Sequence, residues 1–220
     1  MTMFDHQSPA GIKLQPIVEL KTGSIIGYEV LSYFTEDVDS EYYFQHAPEN
    51  ILISIFNQQV KQVASNPAGY HYFVNLSVRD LLGSELENKI QISPEQKLVI
   101  ELQDPENLVG LNDVDKAQLV NNLERLRERH IAIWLDDLDE PLLSTVCELN
   151  FCFDGIKIDK YAFWRTQFSP LELKQLVKRC YQITSNVLIE GIETLQHRDI
   201  AARSGASHLQ GYLWPETIIQ

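Results

Sequence analysis

Positive charge is scarce in this 220-residue sequence: 18 lysines and arginines stand against 31 aspartates and glutamates, a formal net charge of -13. A surface of that sign repels a phosphate backbone, so direct nucleic-acid binding is disfavoured. Chemistry on a phosphate ester stays open, provided metal ions supply local positive charge. Cysteine is scarce too. Cys147, Cys152 and Cys180 lack metal-ligand spacing and sit in apolar stretches, which predicts buried free thiols in a reducing compartment and no disulfide or zinc site. Long apolar runs are missing. Nothing approaches a membrane span, and MTMFDHQSPAG lacks the apolar stretch of a signal peptide. The expected location is the cytoplasm, away from membranes. No low-complexity linker interrupts the chain, so residues 1–220 read as one domain.

What is present is alternation. Residues 13–20 and 24–34 are strand-like and joined by Lys21-Thr22-Gly23, a hairpin-type connection, followed by an acidic, irregular stretch over 35–49. Leu52, Phe56, Val60 and Val63 then share a helical face that ends at Asn66-Pro67. Tyr72 to Val74 is strand-like, and Ser77 caps a helix expected over 77–89. Strands at 98–100, 131–135, the run leading to Lys157, 187–189 and 208–213 alternate with helices near 113–129, 170–180 and 195–203. This order predicts an α/β fold, a modified (β/α)8 TIM-type barrel. It has an antiparallel strand near the N-terminus and no room for a closing C-terminal helix.

Several of these strands stop on charged or amide side chains: Glu29, Asn75, Glu101, Asp136 with Asp137, Lys157, Glu190 and Gln210, with Glu193 just beyond. Taken singly, the Asp pair reads as helix N-terminal carboxylates, Asn75 as a cap, and Lys157 with Asp159 as a local ion pair. Together, at the end of a barrel where active sites form, they read as one site. Such oxygen ligands suit Mg²⁺ or Mn²⁺ rather than zinc. Paired ions of this kind promote phosphate-ester hydrolysis, with Lys157 and Glu190 able to orient and deprotonate a water.

Eight segments in order, QPIVEL (15–20), YEVL (28–31), VNLS (74–77), VIEL (99–102), DD (136–137), KID (157–159), EGIET (190–194) and QGYLW (210–214), resemble the EAL domain, the bacterial phosphodiesterase that linearises cyclic di-GMP. The resemblance implies metal ligation by Glu29, Asn75, Glu101, Asp136, Asp137 and Glu193. It implies water activation by Lys157 and Glu190, and nucleotide contact by Gln15 and Gln210.

Two positions and one segment depart from the family pattern. Val30 stands where Ala is usual, adding two methyl groups near the expected site. Tyr33 replaces an arginine that meets a substrate phosphate, and its neutral hydroxyl cannot supply a charged fork. Leu138 to Ser144 replace a glycine-rich loop, adding Asp139 and Glu140 to an anionic site and Pro141 where glycine freedom is usual. The chain thereby resembles the short stand-alone degenerate EAL-like proteins of enterobacteria. That likeness implies a catalytically inactive regulator of motility that binds the flagellar regulator subunit FlhD, without cyclic di-GMP and with no required metal. The alternative is a Mg²⁺- or Mn²⁺-dependent phosphodiesterase that converts cyclic di-GMP to linear pGpG.

Overall fold

The computed structural model describes residues 8–35, 38–64, 69–83, 90 and 97–220. Its strands are β1 (Gly11–Glu19), β2 (Ile25–Tyr33), β3 (His71–Ser77), β4 (Leu98–Gln103), β5 (Ala132–Leu138), β6 (Gly155–Ile158), β7 (Val187–Ile189), β8 (His208–Gln210) and β9 (Thr217–Ile219). Strands β2 to β8 pair in chain order, all parallel. The ring closes through β1, which pairs antiparallel with both β2 and β8. The fold is the expected (β/α)8-type barrel with one reversed strand. After β8 the chain forms no helix; β9 lies outside the ring, antiparallel to Ile12–Leu14 of β1. The last barrel strand stops at Gln210, short of the expected Leu213, because Gly211 turns the chain against the Ile192 backbone.

The helices are α1 (Ser40–His46), α2 (Glu49–Ala64), α3 (Val78–Leu82), α4 (Asp113–Glu128), α5 (Leu143–Glu148), α6 (Lys160–Thr166), α7 (Pro170–Cys180) and α8 (Leu195–Ser204). Helix α1 occupies part of the stretch expected to be irregular. Asp39 caps it by accepting from the Tyr42 backbone N–H, and Tyr43 is buried edge-on to Phe34. Ser77 does cap α3, in a reciprocal capping box with Asp80. The rest of the expected 77–89 helix and the Asn66-Pro67 stop lie outside the described residues. No described helix is long and apolar enough to cross a membrane.

Strand side chains alternate between the barrel interior and the helix-covered outside. Inside, Ile17, Phe73, Val99, Trp134 and Leu188 form a compact apolar floor. Phe73 meets Trp134 edge to face, with ring centroids 5.2 Å apart. His208 is buried against the same indole. Gly155 makes room for it, since a Cβ there would sit 2.2 Å from the Trp134 ring. One alternation onward toward the strand ends stands a polar tier: Glu29, Asn75, Glu101, Asp136, Lys157, Glu190 and Gln210, with Gln15 contributed by the reversed β1. The period of two that fills the floor thus also builds the site.

The thiols differ from expectation: Cys180 is buried, but Cys147 and Cys152 are exposed. Helix α5 buries Leu143 and Val146, which turns Cys147 outward. Cys152 is turned outward between Phe151 and Phe153, which are both buried.

Candidate active site

Lys157 stands at the centre of the polar tier, with none of its surface exposed. Its ammonium lies 2.9 Å from Asp136 Oδ1, 2.9 Å from Glu190 Oε1, and 3.2 Å from both Glu29 Oε2 and Glu101 Oε1. Three N–H donors cannot satisfy four carboxylates. Glu101 is left out: its Oε1 is near the ammonium without hydrogen-bonding geometry, and its Oε2 has no donor among the described residues. Asp159 is not the partner of Lys157. It caps α6, accepting from the Tyr161 and Ala162 backbone N–H groups.

Two amides approach Glu29. Asn75 Nδ2 donates to Glu29 Oε1 at 3.0 Å, and Gln210 Nε2 donates to Glu29 Oε2. Gln210 spends its amide hydrogens on Gln15 and Glu29 and Asn75 donates to Glu29, while among the described residues Asn75 Oδ1 and Gln210 Oε1 remain buried without a donor. Asn75, inside β3, therefore holds Glu29, and the helix cap falls to Ser77 instead.

Adjacent strand residues point to opposite faces, so Asp136 and Asp137 would not ordinarily meet. The β5–β6 register shifts between Leu135 and Leu138, and Asp137 adopts a left-handed φ of 49°. This bulge re-aims one carboxylate. Oxygens of Asp136, Asp137 and Glu190 then lie within 4.8 Å of one another, as do those of Glu29, Glu101 and Asp136. Asp136 belongs to both groups. Glu193 belongs to neither, and its side chain is exposed. Gln15 is drawn in through Gln210 Nε2, which donates to its Oε1 at 2.6 Å.

The charges are unequally settled. Burial pushes Glu29 up, but Lys157 and the Asn75 and Gln210 amides outweigh it and hold Glu29 below the usual carboxylate range. Burial raises Glu101 and Glu190 well above that range, against the pull of Lys157. Asp136 is raised by burial as well. Burial and then the neighbouring Asp136 carry Asp137 to about 7. Burial opposes the charge on Lys157, yet Asp136, Glu101, Glu190 and Glu29 together raise it well above its ordinary value.

The residues fit a hard divalent cation. Carboxylates crowd a single ammonium, and the buried acceptors left over (both Glu101 oxygens, Asn75 Oδ1 and Gln210 Oε1) are oxygens of the type Mg²⁺ and Mn²⁺ prefer.

Two departures from the family pattern lie elsewhere than expected. Val30 packs in the outer core between barrel and helices, because Glu29 takes the inward face. Asp139 and Glu140 do not crowd the carboxylates: Asp139 pairs with Arg165 at 2.6 Å and Glu140 with Arg179 at 2.5 Å. The 138–144 segment is thereby pinned to α6 and α7. The bulge at Asp137 and this pinning were not legible in the sequence, since both depend on pairing across strands.

The EAL domain family model matches residues 7–216. The chain is 25% identical over 224 residues to the cyclic di-GMP phosphodiesterase PdeL of Escherichia coli strain K12, covering 91% of this chain and 60% of PdeL. It is 26% identical over 155 residues to the signaling protein YkoW of Bacillus subtilis strain 168, covering 66% of this chain and 19% of YkoW. It therefore spans less than two thirds of either relative. Its fold matches Klebsiella pneumoniae BlrP1 in a calcium and cyclic di-GMP complex with a TM-score of 0.75, at 21% identity, over 96% of this chain and 56% of that one. It also matches Bacillus subtilis YkuI, in complex with cyclic di-GMP and calcium, with a TM-score of 0.72 at 22% identity, over 95% of this chain and 56% of that one. A closed barrel with one reversed strand, a carboxylate-rich mouth around a buried lysine, and a match along nearly the whole sequence lead to one conclusion: the chain belongs to the EAL domain family.

Proposed function

We propose that this chain is a divalent-metal-dependent phosphodiesterase acting on a cyclic dinucleotide, cyclic di-GMP by its family, with a weakened hold on the substrate phosphate. The observation that carries this reading is the set of buried oxygen acceptors without donors around Lys157. Burying uncompensated carboxylates destabilises a fold, so retaining them favours a cation that compensates them. Glu29, Asn75, Glu101, Asp136 and Asp137 would hold Mg²⁺ or Mn²⁺; Glu193 joins them only if its exposed side chain turns inward. When bound, such ions acidify a water and offset phosphate charge. Glu190, raised by burial, accepts the proton, and Lys157 keeps Glu190 oriented at 2.9 Å. Gln15 and Gln210 border the same mouth and would meet the nucleotide. The reading treats residues 1–220 as a single domain working in the cytoplasm.

Purified protein with Mg²⁺ or Mn²⁺ is expected to convert cyclic di-GMP to linear pGpG, and Glu29→Ala to abolish the conversion. No turnover with either metal overturns the reading.

A second reading is favoured by Tyr33 and by the pinned 138–144 segment. Under it the chain is a degenerate member that binds a protein, an FlhD-type regulator subunit, and neither binds nor hydrolyses cyclic di-GMP. Calorimetric titration with cyclic di-GMP and Mn²⁺ would then give no heat, and FlhD would co-purify with the chain. A micromolar dissociation constant for the nucleotide overturns this second reading.

A further inference from the structure

The proposed reading leaves out β9 and the residue just before it, Glu216. The β1–β9 ladder pairs Ile12 with Ile219, Lys13 with Ile218 and Leu14 with Thr217, and continuing that register sets Glu216 opposite Gln15. The side chains meet. Gln15 Nε2 donates to Glu216 Oε1 at 3.1 Å, and Lys13 Nζ lies 3.2 Å from Glu216 Oε2. From Gln15 the contacts run inward: Gln210 Nε2 donates to Gln15 Oε1 at 2.6 Å and also to Glu29 Oε2.

A primary amide can face either way, and only its partners decide which end carries the donors. Here both ends of the relay are carboxylates, which accept only. Glu216 draws the Gln15 nitrogen outward, so the Gln15 oxygen faces Gln210. Gln210 then has an acceptor for each of its two amide hydrogens, one on Gln15 and one on Glu29. Its own oxygen is left buried without a donor, as Asn75 Oδ1 is on the other side of Glu29. Without an acceptor at 216, Gln15 loses the contact that sets its direction, and Gln210 keeps only Glu29 to orient it.

We propose that Glu216 is a positioning residue of the mouth: acting through Gln15, it orients the Gln210 amide so that Glu29 is held by a donor and the Gln210 oxygen stays available to a bound cation or a ligand N–H. Glu216 does this from outside the barrel, on a segment that contributes nothing to the ring itself. The functional consequence for metal binding rests on the phosphodiesterase reading, whereas the orientation of the amides does not.

The test compares wild type with Glu216→Gln, which keeps size and packing but whose one oxygen is drawn to the Lys13 ammonium, so that its N–H group faces Gln15. The control is Lys13→Met, which removes the ion pair to Glu216 and leaves the acceptor in place. In metal-free protein, the two side-chain N–H resonances of Gln210, assigned by their loss in Gln210→Glu, are expected well dispersed in wild type and Lys13→Met. In Glu216→Gln their separation should collapse toward that of a free glutamine. Mn²⁺ affinity, read by calorimetry, is expected to fall about tenfold in Glu216→Gln and less than about twofold in Lys13→Met, the scale seen when a ligand-supporting contact is lost. Wild-type Gln210 resonances in Glu216→Gln would overturn the proposal. So would equal loss in both variants, because that would mean Glu216 merely anchors the tail. If wild type binds no Mn²⁺, the metal-dependent reading falls, and the amide resonances alone still decide the orientation.

Discussion

Lys157 Nζ lies 2.9 Å from Glu190 Oε1, and the lysine has no solvent-exposed surface. This ammonium sits among four carboxylates of which it can satisfy only part. The arrangement makes opposite forecasts for removing its two kinds of member.

Lys157→Met leaves buried carboxylates with no cation and is expected to destabilise metal-free protein by about 3–5 kcal/mol, the cost of breaking a buried pair from one side. Glu101→Gln has the opposite sign. Burial raises the Glu101 pKa in the fold, so at pH above the ordinary carboxylate range this acid opposes folding, and an amide that never ionises relieves that cost. Urea denaturation in chelator should rank Glu101→Gln above wild type and Lys157→Met below it. The reverse order would show that the carboxylate cluster is not under charge strain.

Metal should stabilise the fold with the logarithm of its free concentration once that exceeds the dissociation constant. At a free Mn²⁺ concentration 100 times the dissociation constant, the expected gain is about 2.7 kcal/mol. Thermal denaturation in EDTA and in graded Mn²⁺ measures it. Glu101→Gln should show a smaller rise than wild type despite its greater metal-free stability, and an equal rise would remove Glu101 from the ligand set.

Tyr33→Arg tests the weakened hold on substrate phosphate proposed for this chain. A charge-assisted contact contributes about 1.5–3 kcal/mol, so arginine at this position should tighten cyclic di-GMP binding at least about tenfold. Calorimetry with a non-hydrolysable analogue gives the comparison. Unchanged affinity would mean the β2 end does not reach a ligand phosphate.

His208 sets a pH dependence in the barrel floor. Burial lowers its pKa below the ordinary 6.5, so the folded chain holds it neutral. The unfolded chain takes up a proton first as pH falls. His208 therefore contributes its full stabilisation above pH 6.5 and loses it as pH drops through that value toward the folded pKa. The stability difference between wild type and His208→Asn should shrink between pH 7.5 and 5, and a constant difference would refute the assignment.

Gly155→Ala tests the floor that supports the site. The new methyl would meet the Trp134 ring at 2.2 Å, which the packed interior cannot absorb without displacement. Overpacking of this kind costs about 1–3 kcal/mol. Fluorescence of Trp134 should shift along with the denaturation midpoint.

Much of the molecule was legible before folding was considered. The floor residues and the polar tier follow from one period-two pattern, because strands that present Phe73, Val99 and Leu188 inward must present Asn75, Glu101 and Glu190 two residues later on the same face. Alternation of apolar strands and amphipathic helices carried the barrel for the same reason. The stretch 35–49, expected to be irregular, contains α1, whose apolar face is only Tyr43 with the partly buried Phe44 and whose cap is a lone aspartate. The crowding expected of Asp139 and Glu140 failed because arginines 26 and 39 residues away in sequence neutralise them.

The sequence by itself therefore determined the alternation of strands and helices, the antiparallel strand near the N-terminus and the polar residues gathered at the strand ends, since these depend on local periodicity and turn chemistry. Only the tertiary structure decided that Lys157 is enclosed by four carboxylates, that a bulge brings Asp137 beside Asp136, and that Glu216 reaches Gln15 from 201 residues away. Those facts depend on registers between strands that are distant in the chain, and a register is set by packing the whole ring at once.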